Sequence, residues 1–389
     1  MNTTGADERV HGFMEDFARR TGLDPAGDTP QRYLWTDAFA VCNYLGLFEK
    51  SRNSLYRDLA LRLVDQVHHT LGRHRPDDPR GGWISGLPTK EGELHPTIGG
   101  LRIGKPLPER KIDEPYDERR EWDQDGQYYH YLTKWMHALN RVSRVTGDPK
   151  FLTLAIELAH AAHTGFTYGS GTRKRMYWKM SIDLSRPLVP SMGQHDPLDG
   201  LVTYNEILLA ANRNAGRTGE MVLVQDIAEM AAVSRGMHMA TDDPLGTGGL
   251  LFDASRLTQM KVQGVPGYGG LLETVLDTAL EGADAFSRSG SLDLKARYRL
   301  AFRELGLSAG LAVVDKLPVW IGNNWEVFDR GEILLHQAME LRDYLPLKET
   351  IEQFWLEGKN REAGTWTDHR EINTVMLATS LAPEGFLGI

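Results

Sequence analysis

The fold is decided by residues 125–162, which read DGQYYHYLTKWMHALNRVSRVTGDPKFLTLAIELAHAA. Apolar and aromatic side chains recur every three or four residues between positions 128 and 142, which is the spacing of one face of an α-helix. Gly147 is suited to end that helix, Asp148 is a favoured N-cap, and Pro149 fits the first position of a following helix. The stretch therefore predicts two antiparallel helices joined by a very short turn.

The same hairpin pattern returns further along the chain. Thr146-Gly147-Asp148 is matched by Thr218-Gly219-Glu220, and each of these turns precedes an alanine-rich stretch. A recurring unit of this kind indicates a helical repeat. Extending it predicts inner helices near 35–48, 125–145, 199–215, 269–287, 329–345 and 368–381. The partner helices are predicted near 54–74, 149–166, 220–239, 293–313 and 347–358.

The linkers that lead back from each partner helix to the next inner helix are long. They are predicted at about 75–122, 169–198, 242–268, 314–328 and 359–366. If the helices alternate in direction, all of these linkers lie at the same end of the molecule. Irregular chain gathered on one face of a rigid scaffold is typical of an active site.

This layout resembles the six-hairpin α/α toroid superfamily, which includes many glycoside hydrolases and the N-acylglucosamine 2-epimerase group. The resemblance implies an all-α fold, an (α/α)6 toroid of six helical hairpins with its long loops on one face. We expect residues 1–389 to form a single domain. The sixth inner helix has no partner after it, so the N-terminal segment, about Asp7 to Thr21, is expected to supply the partner and close the ring.

Composition narrows the possible functions. The formal charge of −9 argues against a nucleic-acid partner, because such partners require a basic surface. Cys42 is the only cysteine and lies in an apolar run, so we expect a buried thiol and no disulfide. The chain shows neither a secretory signal nor a membrane-spanning apolar run. We therefore expect a cytoplasmic protein with no membrane partner.

Carboxylates come in pairs where two of the predicted inner helices begin. Asp123 and Asp125 precede one helix, and Asp196 and Asp199 precede the next. Capping a helix uses only one carboxylate, so each pair has one to spare. Hydrolysis of a glycosidic bond typically needs two carboxyl groups, and we expect one from each pair. Glu326 is the reserve general acid, because the adjacent Trp325 would raise its pKa by desolvation.

Aromatic residues accompany these carboxylates, as expected of a site that binds a saccharide. Their faces can cover the apolar face of a sugar ring, while polar groups bind its hydroxyls. The side chains expected to contact substrate are Trp83, Trp122, Tyr128, Tyr129, His130, Trp178, Trp325, Trp366, Asp368 and Arg370. We expect no metal and no cofactor, because neither a metal-ligand motif such as HExxH nor a dinucleotide fingerprint is present.

Two alternatives to a glycoside hydrolase stay open. A sugar isomerase of the N-acylglucosamine 2-epimerase kind needs two groups that transfer protons on either side of a sugar carbon. Its candidates are His195 and His369, since histidine titrates near neutral pH. The other alternative is a non-catalytic helical toroid that binds a ligand or a protein on its loop face.

Overall fold

A computed structural model describes residues 3–171, 174–213 and 220–389, which are predominantly α-helical. The chain divides into two compact units. The first unit comprises residues 18–237, and the second comprises residues 1–17 with 238–389.

The described part of the first unit contains eight α-helices and five short strands. The helices are α2 (Leu34–Ser51), α3 (Ser54–Leu71), α4 (Thr89–Leu94), α5 (Glu118–Asp123), α6 (Tyr129–Thr146), α7 (Pro149–Phe166), α8 (Asp196–Arg213) and α9 (Glu220–Ser234). They follow α1 (Thr3–Arg20), which crosses the boundary between the units. The strands are β1 (Gln127–Tyr128), β2 (Thr167–Tyr168), β3 (Arg175–Met176), β4 (Lys179–Met180) and β5 (Pro187–Val189).

The α6–α7 hairpin forms as the sequence predicts. Gly147 adopts a left-handed conformation with φ of 74°, which a residue without Cβ reaches at little cost. The Asp148 side chain accepts a hydrogen bond from the Lys150 backbone N–H, and Pro149 occupies the first turn of α7. The helix itself begins at Tyr129 rather than at Asp125. The second predicted turn, Thr218-Gly219, lies outside the described residues.

The residues predicted as the first turn of α6 instead include β1, which belongs to a small antiparallel sheet. Its strand order is β1-β4-β5, with Gln127 opposite Met180 and Tyr128 opposite Lys179. β2 and β3 form a separate two-stranded ribbon. Pairing of β1 with β4 brings the start of α6 next to the loop that follows α7.

Two classes of helix are distinguished by burial in the first unit. α2 and α8 are buried around most of their circumference, and α2 contains the buried thiol of Cys42 as predicted. The helices α3 and α7 bury one face each. α2 packs against α3 and α6, while α6 also packs against α7 and α8. This is the predicted arrangement of inner helices, each with a one-sided partner.

The second unit, over residues 3–17 and 238–389, contains most of α1 and nine further α-helices. These are α10 (Pro244–Val262), α11 (Gly269–Arg288), α12 (Ala301–Leu311), α13 (Leu317–Asn323), α14 (Gly331–Glu340), α15 (Leu345–Leu356), α16 (Gly364–Thr367), α17 (Arg370–Leu381) and α18 (Glu384–Leu387). Short 3-10 turns cover Ser291–Asp293, Ala296–Tyr298, Trp325–Val327, Leu341–Tyr344 and Gly358–Glu362.

The predicted assignment of helices is wrong in part of the second unit. α10 occupies most of the predicted linker 242–268 and is buried nearly all round, so α10 is an inner helix. α11, predicted as inner, buries only one face and is the partner of α10. α12, predicted as a partner, is buried nearly all round and packs against α10, α15 and α17. The predicted helices at 347–358 and 368–381 are confirmed as α15 and α17.

No helix in the described ranges combines the length and the apolar character needed to cross a membrane.

The inner helices α10 and α12 of the second unit pack closely at positions where both contain glycine. A Cβ placed on Gly248 of α10 would lie 2.2 Å from the carbonyl oxygen of Gly306 in α12. A Cβ on Gly310 would likewise lie 2.7 Å from the Cα of Gly248. Backbone atoms cannot move aside like a flexible side chain, so this contact depends on the absence of side chains.

Gly248→Ala is expected to lower the free energy of unfolding by about 1–3 kcal/mol, because the new methyl group overpacks the α10–α12 contact. Gly249→Ala is the matched control, since nothing lies within 4 Å of its Cβ position. The control is expected to be neutral or to stabilise by up to about 1 kcal/mol through higher helix propensity. Urea unfolding of both variants measures the difference, and equal stabilities would contradict the close contact.

Candidate active site

Asp196 and His130 face each other where two inner helices begin in the first unit. Asp196 is the first residue of α8, and His130 is in the first turn of α6. The His130 Nδ1 and Asp196 Oδ1 atoms are 3.6 Å apart. Asp196 is only 5% exposed. Within the described part of the chain, neither His130 Nδ1 nor Asp196 Oδ2 has a hydrogen-bond partner, although both atoms are buried.

Gly193 packs directly against the Asp196 carboxyl group. A Cβ at this position would lie 2.3 Å from Asp196 Oδ2 and 2.6 Å from its Oδ1. The loop before α8 can therefore run against the carboxyl group only because residue 193 has no side chain. This close approach helps to keep water away from Asp196.

Burial raises the pKa of the Asp196 carboxyl group. Desolvation, and then the nearby charge of Asp199, raise its pKa from the ordinary value of 3.8 to about 8. Desolvation, and then the charge of Lys134, lower the pKa of His130 from 6.5 to about 4. Near neutral pH, a protonated carboxylic acid therefore lies beside a neutral imidazole. This arrangement offers a proton donor and a base side by side.

Asp199 lies one helical turn after Asp196 and has cationic and hydroxyl partners. The Lys134 Nζ atom is 2.7 Å from Asp199 Oδ2. The hydroxyl of Thr133 donates to the same oxygen atom. Such donors stabilise a carboxylate in its ionised form. The two carboxyl groups of α8 are therefore held in different environments.

Aromatic rings form a wall next to this pair. The ring of Tyr128 lies 5.0 Å from that of Trp178 and 5.4 Å from that of His130, measured between centroids. Trp122 packs edge-on against Trp178 at 5.4 Å and is 46% exposed. Tyr131 packs against His130 at 4.9 Å. These five side chains, here called the aromatic wall, include four that the sequence singled out.

Tyr33 and Lys105 extend the aromatic wall. The hydroxyl groups of Tyr33 and Tyr131 are 2.7 Å apart and share a hydrogen bond. The Lys105 Nζ atom lies 5.5 Å from the centre of the Tyr33 ring. The phenol of Tyr33 stays neutral, since burial raises its pKa to about 12.

The carboxylate of Asp125 accepts hydrogen bonds from the loop that precedes it and from the next residue in the chain. It is fully buried, and the Arg102 guanidinium pairs with its Oδ2 atom. The backbone N–H groups of Gly104 and Gly126 donate to its Oδ1 atom. These contacts favour a structural role in fixing the loop before α6. Asp123, its neighbour in the predicted pair, is exposed.

Three aromatic residues predicted to bind substrate are packed inside their units. Trp83 is 3% exposed, and the Arg73 guanidinium lies 4.4 Å from its ring centre. Tyr129 is fully buried and donates through its hydroxyl to that of Tyr204 at 2.9 Å. Trp366 in the second unit is 3% exposed and stacks on Trp355 at 5.5 Å. Such burial favours packing over contact with a ligand.

The second unit contains the remaining predicted residues. Glu326 lies exposed in the turn Trp325–Val327, so the burial expected from Trp325 is absent. His369 is exposed, and its ring lies 5.9 Å from that of Phe302. Asp368 is exposed and Arg370 is half-buried. In the first unit, His195 is half-buried, and its carbonyl accepts the N–H of Asp199.

Sequence reasoning missed Lys134, Thr133, Tyr131, Tyr33 and Lys105. Lys134 could have been found from its position four residues after His130, which places it on the same face of α6. Tyr131 was recognised only as part of the apolar stripe. Nothing in the local sequence of Tyr33 or Lys105 indicates that the two side chains meet.

Comparison with solved structures identifies the fold. The GH76A alpha-1,6-mannanase from Salegentibacter sp. HEL1_6 aligns over 97% of this chain and 99% of its own, at 10% sequence identity and a TM-score of 0.52. The cellobiose 2-epimerase from Spirochaeta thermophila DSM 6192 aligns over 88% of this chain and 98% of its own, at 14% identity and a TM-score of 0.45. The likeness to the mannanase confirms the predicted all-α fold, an (α/α)6 toroid.

A sugar epimerase from a ruminal bacterium also matches, over 90% of this chain and 87% of its own, at 12% identity and a TM-score of 0.46. No protein-family profile and no curated protein sequence matches the chain. The likeness to solved structures identifies the fold and assigns no role to any residue of the site.

Asp196→Asn is expected to stabilise the protein at alkaline pH. The raised pKa means that the folded state binds this proton more tightly than the unfolded state does. Stability from Asp196 is therefore fully present below about pH 4 and is lost as the pH rises towards about 8. The neutral amide removes that loss, so the advantage of the variant over the wild type should grow by about 5 kcal/mol between pH 4 and pH 8.

Chemical unfolding at pH 4.5, 6 and 8 measures this gain. The matched control is Asp58→Asn, which changes a carboxylate that is about half exposed on the surface of α3. The control should follow the wild type at every pH. A parallel pH dependence of Asp196→Asn and the wild type would show that Asp196 ionises normally in the folded protein.

Asp125→Asn is expected to lower the free energy of unfolding by about 3 kcal/mol, because it leaves the buried Arg102 guanidinium without its counter-ion. Asp77→Asn is the control, since Asp77 pairs with Arg75 at a carboxylate that is about half exposed. Its effect should stay below about 1 kcal/mol. Thermal unfolding of the two variants compares them. Equal losses would argue against the structural role of Asp125.

Proposed function

We propose that this chain is a carbohydrate-active enzyme that hydrolyses a glycosidic bond at the start of α6 and α8. The observation that carries the proposal is the buried carboxyl group of Asp196, whose Oδ2 atom has no hydrogen-bond partner among the described residues, one helical turn from the lysine-paired Asp199. Two carboxyl groups in unlike environments are what acid–base cleavage of a glycoside needs. Asp196 is the general acid, and Asp199 is the second carboxylate.

The chemistry divides between these two groups. Asp196 donates its proton to the glycosidic oxygen as the bond from that oxygen to the anomeric carbon breaks. Asp199 either accepts a proton from the attacking water molecule or attacks the anomeric carbon itself, and water then completes the hydrolysis. Lys134 and Thr133 hold the Asp199 carboxylate in place during these steps.

The aromatic wall supplies a surface for the sugar. The half-buried Trp178 packs on the buried ring of Tyr128 next to His130, and the exposed Trp122 continues this surface. Aromatic faces of this kind cover the C–H face of a pyranose, and the hydroxyl groups of Tyr33 and Tyr131 can bind sugar hydroxyls. The fold shared with the mannanase supports a saccharide substrate by analogy.

The paired His130 and Asp196 also favour a second candidate, a sugar isomerase or epimerase. A neutral imidazole 3.6 Å from a protonated carboxyl group could remove a proton from a carbon next to a carbonyl while the acid protonates the oxygen. We favour His130 over His195 and His369 as the base for this reaction, because the His130 ring lies next to the Asp196 carboxyl group that would act as the acid.

Proton NMR in D₂O separates these functions. The protein is incubated with a panel of oligosaccharides, beginning with mannose-containing ones, and with free sugars. New anomeric signals establish hydrolysis, and deuterium at a carbon next to a carbonyl establishes isomerisation or epimerisation. Line broadening without turnover establishes ligand binding alone. Absence of all three signals across the panel contradicts a saccharide ligand.

For hydrolysis, Asp196→Asn and Asp199→Asn are each expected to reduce kcat by about 10²–10⁴-fold, since each removes one proton-transfer or nucleophilic group. Asp58→Asn should keep full activity. For the wild type, kcat/KM should fall as the pH rises through about 8, where Asp196 loses its proton. Initial rates from pH 4 to pH 9.5 test this limb. Full activity of Asp196→Asn would exclude its role as the acid.

A further inference from the structure

Among the residues with described structure, Lys105 is a cation of the candidate site without a carboxylate partner. Its ammonium stands over the Tyr33 ring at 5.5 Å, and its side chain is half-buried. Within the described residues, no carboxylate lies within ion-pair distance of its Nζ atom and no hydrogen bond to that atom is formed. Asp123 contributes a favourable charge, yet it lies beyond ion-pair distance.

Lys179, in the same region, differs from Lys105 because its ammonium group has a full set of hydrogen-bond acceptors. Its Nζ atom is fully buried and donates to the Glu121 carboxylate and to the carbonyl oxygens of Glu121 and Gln124. All three of its N–H bonds are thus used within the protein. Lys105 has no such set of acceptors, although burial lowers its pKa and so disfavours its charge.

The backbone of Lys105 is fixed, which gives its side chain a defined origin. Its N–H donates to Asp125 Oδ1 at 3.4 Å, and its carbonyl oxygen accepts from the Arg75 guanidinium at 2.8 Å. The neutral Tyr33 phenol provides a ring face but no counter-charge. A half-buried ammonium held in this way would gain an ion pair if a bound ligand supplied an anion.

We propose that Lys105 binds a compact oxyanion on the saccharide, either a carboxylate or a phosphate group, so that the preferred substrate is an anionic sugar. The inference rests on the proposed function in that both use the same site. Tyr33 and Tyr131 connect Lys105 with His130 through successive ring contacts. The anionic group would therefore bind at the Tyr33 end of the aromatic wall, while the glycosidic bond lies at Asp196. An oligosaccharide is long enough to reach both positions.

The test is a binding experiment with matched neutral and anionic sugars. Glucose, mannose and galactose are each compared with the corresponding uronate, and glucose and mannose also with their 6-phosphates, by NMR chemical-shift titration. At least one anionic sugar is expected to bind at least about tenfold more tightly than its neutral match. The uronate and phosphate arms identify which oxyanion is recognised.

Variants at Lys105 link the preference to this side chain. Lys105→Met keeps the length of the side chain without its charge and should remove the tenfold gain, while Lys105→Arg should retain most of it. Lys111→Met is the matched control, because Lys111 is exposed on the same loop. Thermal unfolding confirms that each variant is folded. Equal affinities for neutral and anionic sugars, or an unchanged preference in Lys105→Met, would overturn the inference.

Binding and turnover are read separately, so the two proposals can fail independently. If anionic sugars bind through Lys105 but no glycosidic bond is cleaved, the hydrolase proposal fails and the role of Lys105 stands. If neutral oligosaccharides are cleaved without any preference for an anionic group, the role of Lys105 fails and the hydrolase proposal stands. Absence of binding by every anionic sugar overturns the role of Lys105.

Discussion

The burial of one carboxyl group, Asp196, is the constraint on which the candidate site depends. A carboxyl group withdrawn from water loses stability as an anion, and so it keeps its proton at a pH where an exposed aspartate has lost it. Gly193 encloses the group, and the charge of Asp199 adds to the effect. The protein retains an arrangement that disfavours folding at neutral and alkaline pH, which is typical of residues selected for chemistry rather than for stability.

Two aspartates with similar sequence settings therefore have opposite electrostatic surroundings. Asp125 and Asp196 both stand where a loop meets an inner helix, and both are buried. Asp125 has a guanidinium and backbone N–H donors, which satisfy the charged form. Asp196 lies beside the neutral imidazole of His130, and one of its oxygen atoms has no hydrogen-bond partner in the described ranges of the chain. Burial alone does not identify a reactive carboxylate, because the donors around it determine whether its charge is stabilised.

The sequence predicted the first unit well because its helices carry distinct signals. Gly147, Asp148 and Pro149 mark both ends of a turn, and the amphipathic stripe of α6 has a helical period. α10 lacks such a stripe, since it is buried nearly all round and contains glycines that a propensity argument assigns to loops. Those glycines serve the close α10–α12 contact instead. Because α10 was missed, the inner and partner assignments of α11 and α12 were exchanged, and the predicted assignment agrees with the structure again at α15 and α17.

The site was predictable only as far as local sequence reveals chemistry. Asp196, Asp199 and His130 were proposed because aspartate and histidine stand out near helix starts, and Trp178 was proposed because a tryptophan stands out in a long loop. Lys105 and Lys179 could not be told apart, because they differ in acceptors brought by other parts of the chain. Glu121 and Gln124 come to Lys179 through the packing of α5 and β4. Lys105 lies over the neutral ring of Tyr33 and forms no ion pair with any residue that the structure describes. Whether a lysine is a structural ion or a binding group is thus decided by tertiary contacts.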